Sequence, residues 1–177
     1  MAGYFSAASF RTLGAAATPQ NLLTIENIDA TKLVTVRRIT VQMDATAVLV
    51  SVMPQVKLSR ATAVPTGGTV LSKGQFDTGN ASNANTIVRG ATASDGGVAT
   101  AITSTAGTTL WQQYCMRMHT VVGQVLAPDN NVAPLLVETQ NLILRQNQAL
   151  LVQIVASAGA SNPATNHWFA NIVWEED

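Results

Sequence analysis

Apolar and polar residues alternate along much of this chain with a period of two, the spacing of a β-strand with one covered face. Leu23 and Ile25 alternate with Thr24 and Glu26, and Asn27-Ile28-Asp29-Ala30-Thr31 then interrupts the run as a turn would. The next run places apolar residues at 34 and 36, then at 39, 41 and 43. The odd step from 36 to 39 would invert the buried face unless one extra residue is absorbed, so a β-bulge is predicted at Arg37-Arg38. Val48, Val50, Val52, Val56 and Leu58 share a parity with Pro54, which predicts a strand at a sheet edge or bent at the proline.

The last third repeats the pattern more strongly. Leu135-Leu136-Val137 and Leu142-Ile143-Leu144 precede a polar turn at Arg145-Gln146-Asn147-Gln148, followed by Leu150 to Val155. Trp168 to Trp174 forms a final strand, and Glu175-Glu176-Asp177 reads as a solvated acidic tip. Leu150, Val152 and Ile154 share one face, as do Trp168, Ile172 and Trp174. Both strands are apolar on their other parity too, as expected where one face meets the core and the other a partner. Leu110 to His119 fits a strand or a helical face, and its β-rich neighbours favour the strand. No long, capped amphipathic helix is predicted.

Two regions break the pattern. Residues 1–20 are mostly small, with Tyr4, Phe5, Phe10 and Leu13 as isolated anchors. They read either as a frayed terminus or as an extended arm that seats its aromatics on a neighbouring subunit. Residues of about 60–109 hold eight of the twelve glycines amid Thr, Ala, Ser and Asn. Short apolar pieces survive there, at Thr69-Val70-Leu71, Asn85 to Val88 and Val98 to Ile102. This predicts an insertion with short strands on an exposed face, the natural place for contacts. The expected architecture is all-β: an N-terminal arm (1–20) and one two-sheet β-sandwich of jelly-roll type (21–177) carrying that insertion.

Composition narrows the functional classes. The chain has 177 residues, 47% of them apolar and only 11% charged, against a usual ~25% charged. Ten basic residues balance ten acidic ones, so no basic face is expected for nucleic acid. A neutral, charge-poor surface favours association. Cys115 is the single cysteine, which excludes an internal disulfide and suggests synthesis in a reducing compartment. Neither a secretory leader nor an apolar stretch of about 18 residues is apparent, so no membrane partner is expected.

Catalytic chemistry finds no foothold. His119 and His167 are the only histidines, neither lies in a known motif, and no Gly-x-Ser-x-Gly elbow is present. Cys115 and His119 would lie about 13 Å apart on one strand, too far for shared coordination. Asp77-Thr78-Gly79 matches an aspartic-protease tripeptide, but its polar, loop-like flanks argue against that role. No phosphate loop or calcium loop occurs. Catalytic, cofactor and metal sites are therefore expected to be absent. Trp111, Trp168 and Trp174 could stack on a sugar, but tryptophans in a sandwich more often anchor a core or an interface.

The segments TPQNLLTIEN, VRRITVQMDATAVL, ILRQNQALLVQIVA and NHWFANIVWEED resemble small jelly-roll virion proteins of tailed bacteriophages, including capsid decoration (cement) proteins. The resemblance spans residues 18–177 in style, and the Thr/Gly/Asn-rich insertion departs from a minimal jelly roll. It implies a homotrimer on the outer capsid surface, made in the host cytoplasm, that stabilises contacts between copies of the major capsid protein. Candidate interface residues are Tyr4, Phe5, Phe10, Leu13, Trp168 and Trp174. The alternatives are a carbohydrate- or receptor-binding module of a head or tail fibre and, further off, a cupin-like enzyme.

Overall fold

A computed structural model describes residues 3–12, 19–44, 55–76, 85–90, 101–114, 135–155 and 167–177. These residues form strands and connecting segments, and none of them is helical. In chain order the strands are β1 (Gly3–Thr12), β2 (Gln20–Asn27), β3 (Val34–Asp44), β4 (Gln55–Ala61), β5 (Thr66–Gly67), β6 (Thr69–Val70) and β7 (Gly74–Gln75). They continue as β8 (Thr86–Gly90), β9 (Ile102–Thr103), β10 (Ala106–Tyr114), β11 (Leu135–Leu144), β12 (Gln148–Val155) and β13 (His167–Glu176).

Two antiparallel sheets form a β-sandwich. The five-stranded sheet runs β11-β3-β13-β1-β7, and the six-stranded sheet runs β10-β4-β12-β2-β8-β6. The longer strands pair as a nested series: β1 with β13, β2 with β12, β3 with β11 and β4 with β10. The chain alternates between sheets as it passes along this series. One core fills the space between them. Val34, Val36, Ile39, Val41, Ile172 and both Trp168 and Trp174 enter from the five-stranded side. Leu23, Ile25, Val56, Leu58, Leu150, Val152 and Ile154 enter from the six-stranded side. Each such side chain contributes roughly 1.5–3 kcal/mol of burial.

The bulge lies at the arginine pair. In the β3–β13 ladder Val173 faces Arg38 while the next residue, Trp174, faces Val36, so Arg37 is the extra residue. It restores the inward parity of Val34 and Val36 with Ile39 and Val41. The two turns are also where the polar clusters place them. Asn27, fully buried, donates its side-chain amide to the Lys32 and Leu144 carbonyls, at 2.9 Å each, and accepts from the Asp29 amide. It thereby ties the β2–β3 turn to the end of β11. Asn147 holds φ at 58° in the second turn, a left-handed conformation that asparagine tolerates.

Three expectations need correction. Residues 3–12 are no arm: they form β1, paired along ten ladder positions with β13 in the chain's own sheet. Their inward residues Phe5, Ala7 and Ser9 are nearly fully buried, which an arm on another subunit would not give. β4 is not an edge strand, since β10 and β12 flank it on either side. Pro54, which suggested either an edge or a bend, lies outside the described residues, as do positions 48, 50 and 52. The acidic tip is only partly solvated, because Glu176 is 3% exposed. The Gly-rich region supplies short strands at β6 and β8, and most of the piece expected at Val98 to Ile102 lies outside the described residues; β8 is structural, pairing with β2 and placing Val88 in the core. The ambiguous segment is a strand up to Tyr114; Cys115 and His119 lie outside the described residues.

Candidate interaction surfaces

The candidate interface residues separate sharply. Trp168 and Trp174 have no exposed surface, and Phe5 stacks on Trp174 with ring centroids 5.8 Å apart. Such a pair adds about 0.5–1.5 kcal/mol beyond burial. These three residues anchor the sandwich from within and present nothing to another chain, which corrects their assignment as interface residues. Tyr4 alternates with Phe5 and points outward, 45% exposed. Phe10 sits in the ladder opposite Phe169, but its side chain, like Leu13, lies outside the described residues. The three tryptophans build no shared sugar platform, because Trp111 on β10 alone of them keeps any exposed surface.

The outer face of the five-stranded sheet is open. Tyr4, Ser6 and Ala8 of β1 lie beside Glu175, Val173 and Asn171 of β13, and these lie beside β3. Phe169 and Gln42 extend the same surface and are exposed. Its described charges are few. Arg37 is held against Glu175 by paired hydrogen bonds, which raise the guanidinium's pKa further, and Arg38 is exposed next to it. The bulge that corrects the core parity thus also turns both arginines outward.

The outer face of the six-stranded sheet is covered instead along its middle, whereas Gln112 of β10, opposite Lys57, is exposed. Ser59, Leu151 and Thr24 form one cross-strand row over β4, β12 and β2, and each is at most 1% exposed. Ala149, Gln153 and Glu26 flank that row and are also buried. Part of the cover is β9: Gln153 donates to Asn21, and Asn21 donates to the Ile102 carbonyl at 2.8 Å. Among the described residues Thr24 Oγ1, Ser59 Oγ and Glu26 Oε2 have no hydrogen-bond partner. Burial raises the Glu26 carboxyl pKa above its ordinary value, partly countered by the positive charge of Arg89.

A third polar group lies inside the sandwich where β13 ends. Glu176 Oε1 accepts from the Thr86 hydroxyl at 2.6 Å and from the Trp174 indole at 3.0 Å, with Lys73 Nζ at 3.9 Å. Reading Glu175-Glu176-Asp177 as a solvated tip missed this group. The even parity of Trp168, Ala170, Ile172 and Trp174 carries the signal, since it continues inward to Glu176.

Among the described residues no group of three or more His, Cys, Asp or Glu side chains could hold a metal ion. His167 opens β13, with its backbone opposite Asp44 and Thr12, and Asp77 lies outside the described residues. No helix among the described residues is long and apolar enough to cross a membrane. Comparison with protein-family models, with curated proteins and with solved structures finds no match to the chain.

Proposed function

We propose that this protein is a non-enzymatic structural component of a phage virion, a capsid decoration protein of jelly-roll type acting as a homotrimer on the major capsid protein. The open outer face of the five-stranded sheet, whose described charges are Arg38 and the Arg37–Glu175 pair, carries the proposal. An exposed surface with Tyr4, Ala8, Phe169 and Val173 and few charges suits burial against protein, at ~25 cal/mol per Å² of apolar area. The overall balance of ten basic and ten acidic residues leaves no strong repulsion between copies. The nested pairing of β1 with β13 through β4 with β10 supports the jelly-roll reading, because rolling up one long antiparallel ribbon produces that order. On this reading the Gly-rich insertion joins the fourth and fifth strands of the ribbon.

Light scattering coupled to size exclusion, followed by co-sedimentation with phage heads, tests the proposal. A trimer that forms without added ligand and pellets with heads is the expected result. A monodisperse monomer at micromolar concentration that stays in the supernatant overturns it.

A further inference from the structure

Residues 69–76 cross from one sheet to the other on the side of the sandwich where β1 and β8 lie. β6 pairs with β8 at two ladder positions, and β7 pairs with β1 at two more. Between these short ladders the Leu71 amide donates to the Val88 carbonyl at 2.8 Å, and Leu71 packs against the core. Beyond them the Phe76 amide donates to the Tyr4 carbonyl at 3.0 Å, although the Phe76 ring is 64% exposed. The entry into the crossing is a tight backbone approach. Gly67 and Gly68 both have positive φ, and a Cβ on Gly68 would lie 2.7 Å from the Gly90 carbonyl oxygen.

Lys73 lies midway along the crossing and is drawn inward. Its ammonium lies 3.4 Å from the Thr86 hydroxyl, 3.9 Å from Glu176 Oε1 and 5.7 Å from the centre of the Phe5 ring. The Thr86 hydroxyl accepts from Lys73 and donates to Glu176, so it relays between the two charges. Thr86 belongs to β8 in the six-stranded sheet, whereas Glu176 and Phe5 belong to the five-stranded sheet. Three separate elements thus meet at one carboxylate whose side chain is 1% exposed. Removing the lysine charge leaves that carboxylate buried with neutral donors only, the costly way to break a buried pair.

We infer that Lys73, Thr86 and Glu176 form a clasp that holds residues 69–76 as a strap across the sandwich, and that the strap opens as a unit when the clasp is broken. Opening uncovers the edges of β1 and β8, each covered by only two ladder positions, while the ten-position β1–β13 ladder stays intact. Segments with short ladders and few buried contacts open locally at lower free energy than the core. A strand edge so released is competent for pairing with another extended chain. The inference is independent of the virion reading, since it concerns the isolated subunit.

Native-state hydrogen exchange of the full chain, read amide by amide by NMR, tests it. Lys73→Met keeps the aliphatic stem and removes the charge. The Leu71 and Phe76 amides should then exchange about tenfold faster, the factor expected for one lost charge-assisted hydrogen bond, while the amides of β3 and β12 keep their wild-type rates. Thr86→Val, nearly isosteric and lacking the relay hydroxyl, should act in the same direction and serves as the readout if Lys73→Met does not fold. Unchanged exchange at Leu71 and Phe76 overturns the inference. So does equal acceleration at every strand, because Lys73 would then support global stability and no separate strap would exist.

Discussion

On the outer side of the six-stranded sheet Leu151, Ala149, Thr24 and Ser59 are almost fully buried, whereas on the outer side of the five-stranded sheet Tyr4, Ala8, Arg38 and Phe169 are exposed. Their sequences give little warning of this difference. β12 and β13 are both apolar on both parities, which suggested that each has one face in the core and one against a partner. In β12 the chain covers both faces itself: Leu150, Val152 and Ile154 inward, Leu151 and Gln153 outward, all at most 4% exposed. In β13 only the inward set is closed off, while Phe169 and Val173 keep contact with solvent. A doubly apolar strand therefore shows that both faces need covering, but not which chain provides the cover.

The largest effect that could break the comparison is a truncation on the covered face. Leu151→Ala should cost about 2–5 kcal/mol in urea denaturation, the range for a fully buried leucine. Val173→Ala, on the open face, should cost less than about 1 kcal/mol. Equal losses would mean that the two outer faces are equivalent after all. Next in size is Asn27, which belongs to neither face and links the β2–β3 turn to the end of β11. Asn27→Ala strips the Lys32 and Leu144 carbonyls of a donor and should cost about 1–3 kcal/mol, measured the same way. A loss below about 0.5 kcal/mol would mean that water replaces the amide without penalty.

A smaller effect on stability sharpens the comparison from the other side. Val173→Glu places a charge on the open face, where folding of the single subunit should change by no more than about 0.5 kcal/mol. If that face is the contact surface, the same change should shift the oligomer toward monomer in light scattering. An unaltered oligomer with unaltered stability would move the contact elsewhere on the molecule.

How much of this was legible depends on where the large residues sit. β2 alternates at Leu23 and Ile25, and β3 at Val34 and Val36 and then at Ile39 and Val41, so their faces, and the bulge at Arg37, follow from counting by twos. β1 hides the same alternation because two of its inward positions, Ala7 and Ser9, are small. Its neighbour β13 supplies the bulk: Ala7 lies opposite Ile172, and Phe5 meets Trp174. A strand whose partners fill the volume cannot be recognised from its own hydrophobicity. Of the candidate interface residues, Tyr4 does reach the open face, whereas Trp168 and Trp174 share the parity of Ile172 and turn into the core. β8 joins the sheet through its register with β2, a long-range pairing that no local pattern encodes.

The smallest expected effect tests the covered face through its charge. Glu26 lies on that face, and burial raises its carboxyl pKa above the ordinary 4.5 despite the opposing field of Arg89. A carboxyl raised in the folded state contributes stability that is fully present below the unfolded pKa and is lost as pH rises through the folded one. Glu26→Gln cannot ionise, so it escapes that loss. Relative to wild type, the variant should gain in melting temperature between about pH 4 and about pH 7, with the change concentrated just above the ordinary glutamate range. Asp29 supplies the opposite slope in the same molecule. Its carboxylate accepts from the Thr31 and Lys32 amides and the Thr31 hydroxyl, which lowers its pKa below 3.8. Its contribution is therefore present above that value and lost as pH falls through the folded pKa. Should Glu26→Gln and wild type keep a constant difference across the range, Glu26 would be as well solvated as Asp29. The outer face of the six-stranded sheet would then be open to water, like its counterpart across the sandwich.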